Sequence, residues 1–296
     1  MAVTPPVVLT IAGFDPSSGA GVTADIKTIA AHECYGVSCI TALTVQSTQG
    51  VRRVEAVDPR LISETLQELV SDLTVDAVHI GMLGNGQVVA VVADFLSQAK
   101  PPHVVLDPIL KSSSGADLLD AAGKRLLLER LVPLAEVITP NLDEASVLTG
   151  MAVTDLDQMR AAAARLHALG AANVVVTGGH FNRGEKDKDK GEKAIDLLSF
   201  TTARGAETEI FKADRQRSNS THGTGCAFAT ALTCHLAHGR GLPEAVLLAK
   251  AYISAAIANA HPLGHGVGPL HHHYRMGQQR RASTVVSEAE HSHSRT

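Results

Sequence analysis

The stretch STHGTGCAFATALTCHLAHG, Ser220 to Gly239, sets a glycine-rich turn ahead of a helical pattern whose buried face would use Phe228, Ala231, Leu232 and Leu236. Free N–H groups at a helix N-terminus, with the dipole behind them, favour an anion, and glycines let a phosphate approach the backbone closely. Gly223, Thr224, Gly225 and Cys226 are the candidates for such an anion hole, although a glycine turn before a helix is often only a connection. Asn141 and Glu144 stand three residues apart where a helix should start after Pro140. They read as a capping box, or Glu144 helps hold a Mg²⁺ ion through water. Asp107, just before Pro108 at a strand end, is a turn initiator or a second carboxylate near the same metal and phosphates. Asp15 before Pro16 has the same ambiguity, and Asp25 is a surface charge or a group pointing back over the cleft. Gln46 closes an apolar run and carries a donor and an acceptor suited to an aminopyrimidine edge. His271, His272 and His273 lack a second ligand group at zinc-like spacing and are not read as a metal site.

These residues need elements to hold them. Val7 to Gly13, Gly36 to Gln46, Asp76 to Leu83, His103 to Pro108, Glu136 to Pro140 and Asn173 to Gly179 are β-branched runs closed by turn residues, and read as strands. Helical stretches lie between them; Ile62, Leu66, Leu69, Val70 and Leu73, for example, share one face. Such alternation predicts right-handed crossovers and a mostly parallel sheet with helices on both faces. Ligands then belong at the carboxyl ends of the strands, where GFDPSSGAG, TVQSTQG, DPILKSSSG and TPNLDE stand, so one shared cleft is predicted. Lys193 to Phe200 with Thr208 to Phe211 suggests a late antiparallel pair. The charge run Glu185 to Lys193 reads as a mobile loop, and residues 276–296 as a disordered tail beyond a single domain of residues 1–275.

Composition narrows the class of function. A chain of 296 residues, 45% apolar and 19% charged, can bury a large core. With a net charge of −4 and no basic stripe, nucleic acid is not an expected partner. No apolar run approaches the ~20 residues that span a bilayer, and the first residues show no leader pattern, so a cytoplasmic protein is expected. Cys34, Cys39, Cys226 and Cys234 form no CxxC pair, which suits a reducing compartment.

Eight segments in order, LTIAGFDPSSGAGVTADIKT, ITALTVQSTQGV, IGMLG, LDPILKSSSGADLL, ITPNLDEASVLTG, VVVTGGH, THGTGCAFATAL and GHGVGPLHHHY, resemble the bacterial hydroxymethylpyrimidine/phosphomethylpyrimidine kinases from Thr10 to about Tyr274. The resemblance implies a ribokinase-like three-layer αβα sandwich, often dimeric, that uses ATP and Mg²⁺ to phosphorylate a small pyrimidine and then its monophosphate in thiamin biosynthesis. It implies that Gln46 bonds the pyrimidine, with Asp25, Thr44, Met82 and Ile109 around the ring and Gly13 and Asp15 lining the same pocket. Asp107, Asn141 and Glu144 would serve ATP and Mg²⁺, and Gly223 to Cys226 the anion hole. Cys226 would be the general base, its thiol acidified by the helix N-terminus. Two departures stand out: Thr177 where relatives often carry lysine in a phosphate-contacting segment, and Phe14 where a small polar residue is usual. Pyridoxal kinase and a silent pyrimidine-binding regulator are the competing readings.

Overall fold

The computed structural model describes residues 4–112, 115–179, 193–202, 205–216 and 218–276. Strands β1 (Val7–Phe14), β2 (Tyr35–Ser47), β3 (Gly50–Ala56), β4 (Ala77–Ile80), β5 (Val104–Leu106), β6 (Val137–Ile138), β7 (Asn173–Gly178), β8 (Lys193–Thr202) and β9 (Gly205–Asp214) form one sheet in the order β3-β2-β1-β4-β5-β6-β7-β8-β9. The pairs from β2 through β7 are parallel, whereas β3, β8 and β9 join antiparallel at the edges. The six expected strands and the late pair are present. Strand β3 was not anticipated: VRRVEA carries three charges and lies half-exposed at the sheet edge, so it lacks the apolar run that marks a central strand.

Helices α1 (Gly21–Ala31), α7 (Thr224–Ala237) and α8 (Leu242–Ala258) cover one face. The other carries α2 (Pro59–Asp72), α3 (Gly86–Ala99), α4 (Ala121–Leu126, continued by tighter and wider turns to Leu134), α5 (Leu142–Thr149) and α6 (Leu156–Ala168). Because strand side chains alternate, Leu9, Ile11, Val78, Ile80, Val104 and Leu106 enter the core under α2–α6, while Val105, Val137 and Val175 enter the core under α7 and α8. Helix α7 is buried almost all round, from Cys226 to Leu236, because it lies between sheet, α1 and α8; its four expected core residues are only part of that surface. The charge run lies outside the described residues up to Glu192, as does the tail from residue 277.

Candidate active site

The turn before α7 depends on two glycines. Gly223, the helix N-cap, has φ +79°, and a Cβ there would stand 1.9 Å from the Gly19 carbonyl oxygen. Gly21 has φ +58° and would collide with the Gly13 carbonyl. The loop after β1 is thus wedged between its own strand end and the start of α7. A Cβ on Gly225 would meet only the Asp107 carboxylate, at 3.9 Å, so the first turn of α7 opens toward the end of β5.

Behind that opening three acidic groups crowd together. Burial, then the charges of Glu144 and Asp25, pushes the Asp107 carboxyl well above the usual range. Glu144 is pushed up to about 7, chiefly by burial, even though N–H groups of Asn141 and Leu110 donate to its carboxylate. The Asn141 side chain accepts from the Glu144 N–H at 2.9 Å and Glu144 accepts from the Asn141 N–H at 2.9 Å, a complete capping box. The cap and the charge therefore coexist in one residue. Two buried hard-oxygen donors, one of them pushed up further by the other's charge, fit a divalent cation held mainly by its own water and by phosphates. Thr177 bridges Asn141 along the sheet, its N–H donating to the Pro140 carbonyl at 2.9 Å.

Cys226 departs from expectation. Burial, followed by the Asp107 and Asp25 charges, pushes its thiol well above the ordinary value, although the Gly21 N–H donates to the sulfur. The helix terminus is outweighed by the enclosed carboxylates, and the resting group is a thiol hydrogen-bonded to Asp107. Asp25 is also corrected. It is no surface charge but is fully buried on α1, accepting from the Thr10 hydroxyl at 2.7 Å and the Thr230 hydroxyl at 2.8 Å, with His79 3.4 Å away.

On the β2 side the groups complement one another. The Thr44 hydroxyl donates to the Phe14 carbonyl at 2.9 Å and lies 3.2 Å from the Gln46 amide. The other end of that amide is 3.1 Å from His222 Nε2, which lies 2.9 Å from Asp15. Burial pushes Asp15 up, but hydrogen bonds from His222 and Ser17 more than offset it and hold its carboxyl below the ordinary range. Gly13 abuts the Met82 sulfur, and Met82 packs with Ala42, Leu118, Val54 and Ile109 as an apolar wall. His222 is the residue that sequence reasoning missed. It stood inside a quoted motif, but its partners are 176 and 207 residues away.

The phosphomethylpyrimidine kinase family profile matches residues 15–271. The thiamine biosynthesis bifunctional protein ThiED of Geobacter sulfurreducens is 43% identical over 265 residues, covering 90% of this chain but 52% of that protein, so the chain spans about half of its length. The hydroxymethylpyrimidine/phosphomethylpyrimidine kinase of Streptomyces coelicolor is 39% identical over 93% of this chain and 97% of its own. Among solved structures, the ADP complex of Bacillus subtilis pyridoxal kinase superposes with a TM-score of 0.79 at 36% identity, covering 91% of this chain and 98% of that one. Phosphomethylpyrimidine kinase from Clostridium difficile superposes with a TM-score of 0.73 at 34% identity, covering 85% and 99%. Among the described residues no helix is long and apolar enough to cross a membrane.

Proposed function

The chain belongs to the phosphomethylpyrimidine kinase family, and from that membership we propose that it transfers the γ-phosphoryl group of ATP to 4-amino-5-hydroxymethyl-2-methylpyrimidine and then to the resulting monophosphate, in thiamin biosynthesis. The observation that carries it is the adjacency, through Gly13 against Gly21 and His222 beside Gly223, of an apolar wall edged by the Gln46 amide to a glycine turn that faces the buried Asp107 carboxylate.

In this reading the ring lies against Gly13, Met82 and Ile109, with Gln46 at its polar edge and Thr44 and Asp15 holding that edge in place. N–H groups of Gly223, Thr224, Gly225 and Cys226 receive the transferring phosphate. Asp107 and Glu144 hold Mg²⁺, which when bound neutralises charge on the phosphate oxygens. Asn141 and Thr177 border the nucleotide side.

The hydroxymethyl proton is accepted across the Cys226–Asp107 hydrogen bond. The thiol passes its proton to Asp107 as the sulfur takes the proton of the alcohol, so the pair is the base rather than Cys226 alone. A weak base suffices because a loose phosphoryl transfer depends chiefly on positioning and on electrostatic stabilisation. The same reading takes residues 1–275 as one kinase domain working in the cytoplasm as a homodimer.

The test is direct. Purified protein with ATP and Mg²⁺ should phosphorylate both the hydroxymethylpyrimidine and its monophosphate; turnover of pyridoxal with neither pyrimidine used would establish the second reading, which the 36%-identical pyridoxal kinase motivates.

A further inference from the structure

We propose that His222 is a positioning residue that sets which way round the Gln46 amide faces the substrate, so that the cleft accepts an amino-substituted ring edge and rejects the corresponding oxo edge. The inference rests on the reading above in taking Gln46 as the ring contact. It starts from a count of protons.

Asp15 accepts from the Ser17 N–H at 2.8 Å, the Ser17 hydroxyl at 2.7 Å and the Ala20 N–H at 3.0 Å, which marks it as an ionised acceptor. His222 Nε2, 2.9 Å from the same carboxylate, must therefore carry a proton and donate it. A ring nitrogen that donates to Asp15 cannot also accept from the Gln46 amide nitrogen 3.1 Å away. The Thr44 hydroxyl poses the same conflict: its single proton goes to the Phe14 carbonyl, so it has none for the Gln46 oxygen at 3.2 Å.

Turning the amide by half a rotation resolves both conflicts at once. The Gln46 oxygen then accepts from the His222 N–H, shared with Asp15, and the Gln46 amino group donates to a Thr44 lone pair. The two ends of an amide are told apart only by such partners. One amide N–H remains on the Thr44 side and one oxygen lone pair on the His222 side.

That pattern reads a ring edge. A 4-aminopyrimidine offers a ring nitrogen acceptor beside an amino donor, which matches the amide only with the amino group toward His222. The 4-oxo analogue offers a ring N–H beside a carbonyl, the inverse pattern. With its 5-hydroxymethyl kept toward the Gly223 turn it would need the amide turned back, which the His222 proton forbids; turned over to suit the amide, it would carry the hydroxymethyl away from that turn. A site built to hydrogen-bond one edge discriminates strongly because the wrong edge leaves polar groups unpaired.

The lock is held from outside the cleft. The His222 backbone N–H donates to the Gly268 carbonyl at 3.0 Å, and the ring rests on Gly19, where a Cβ would come within 2.2 Å of it. The same glycine strap grips Thr48, two residues beyond Gln46: the Val267 N–H donates to the Thr48 carbonyl at 2.9 Å, and a Cβ on Gly266 would lie 1.9 Å from that oxygen. One segment thereby fixes both partners of the lock.

The experiment compares 4-amino-5-hydroxymethyl-2-methylpyrimidine with its 4-oxo analogue by kcat/KM in wild type, His222→Phe, His222→Gln and His222→Phe/Gln46→Ala. The amino-to-oxo ratio should fall at least about ten-fold in His222→Phe, return towards wild type in His222→Gln, whose amide keeps a donor near the same place, and be insensitive to His222 once Gln46 is alanine. KM for ATP should not move. Nitrogen NMR of the wild-type histidine ring should show a proton on Nε2. A bare Nε2 overturns the inference whatever the kinetics, as does an unchanged ratio in His222→Phe with kcat reduced. A wild type that uses neither pyrimidine defeats the functional reading instead, and with it the substrate half of the inference.

Discussion

The two sides of the cleft are built on opposite electrostatic plans. Toward β2, Thr44, Gln46, His222 and Asp15 form a chain in which each donor meets an acceptor, and Asp15 is held below the ordinary carboxyl range. Toward β5 and α5, burial pushes Asp107, Glu144 and Cys226 all upward; the Glu144 and Asp25 charges add to this at Asp107 and the Asp107 charge adds to it at Cys226, while the Cys226 hydrogen bond partly offsets it at Asp107. The first region is satisfied before any ligand arrives and can recognise by shape and polarity. The second is strained by burial and like charge, which on the proposed reading a cation and a phosphate relieve. That reading makes recognition pre-organised and the phosphoryl-transfer half one that its own substrates complete.

The largest effect should come from the hinge that joins the two halves. Gly223→Ala must move either α7 or the Gly19 carbonyl, since its Cβ has no room and its φ is positive. Loss of the aligned N–H groups should lower kcat/KM by about 10³-fold, at the upper end of what removing one oxyanion donor costs. Kinetics and thermal unfolding on the same sample check it; a folded variant with near-normal turnover would mean the turn is not the anion hole.

Next in size is Cys226→Ser, which keeps volume but not the thiol. Turnover should fall by roughly 10²-fold with pyrimidine KM nearly unchanged, within the range for general-base catalysis. Wild-type kcat across the pH range would remove the Cys226–Asp107 pair from the chemistry. Gln46→Ala acts on the other side. It should raise pyrimidine KM about ten-fold, equivalent to ~1–3 kcal/mol for a lost paired amide, and leave ATP KM alone. If both KM values rose together, the contrast between the two halves would break.

What the sequence made legible follows the same division. Local rules found the glycine turn, the strand ends and the capping box, because each is written within a few consecutive residues: Pro140 and Asn141 ahead of Glu144, or glycines ahead of Phe228. They failed where a residue's state is set by distant neighbours. The helix-terminus rule made Cys226 acidic, but burial first and the Asp107 charge second, both set only by the fold, reverse the sign. Asp25 read equally well as a surface charge until Thr10 and Thr230 closed over it. Strand β3 escaped because an edge strand needs no apolar run, and its charged residues match a loop equally well.

The smallest expected effect tests the strained half without chemistry. Glu144→Gln keeps the cap, because the new amide oxygen still accepts from the Asn141 N–H, but it removes the charge. The wild-type carboxyl has a folded-state pKa of about 7, above the ordinary 4.5, so between these values the folded chain binds the proton more tightly than the unfolded chain does. Stability from this group is therefore full below about pH 4.5, falls as pH rises through about 7 and is flat beyond. The whole decline is on the order of 3–4 kcal/mol, since each unit of pKa difference is worth about 1.4 kcal/mol. Asp107 adds its own slope, and because the Glu144 charge is one cause of its shift, the difference between wild type and variant reads Glu144 together with its effect on Asp107. Denaturant unfolding in cation-free buffer should show the wild type losing stability relative to Glu144→Gln across that window. Added Mg²⁺ at pH 8 should then stabilise wild type more than the variant, because only the carboxylate has charge to give the cation. Parallel pH profiles would mean that Glu144 is already relieved by its two backbone donors, and the carboxylate crowding would then rest on Asp107 alone.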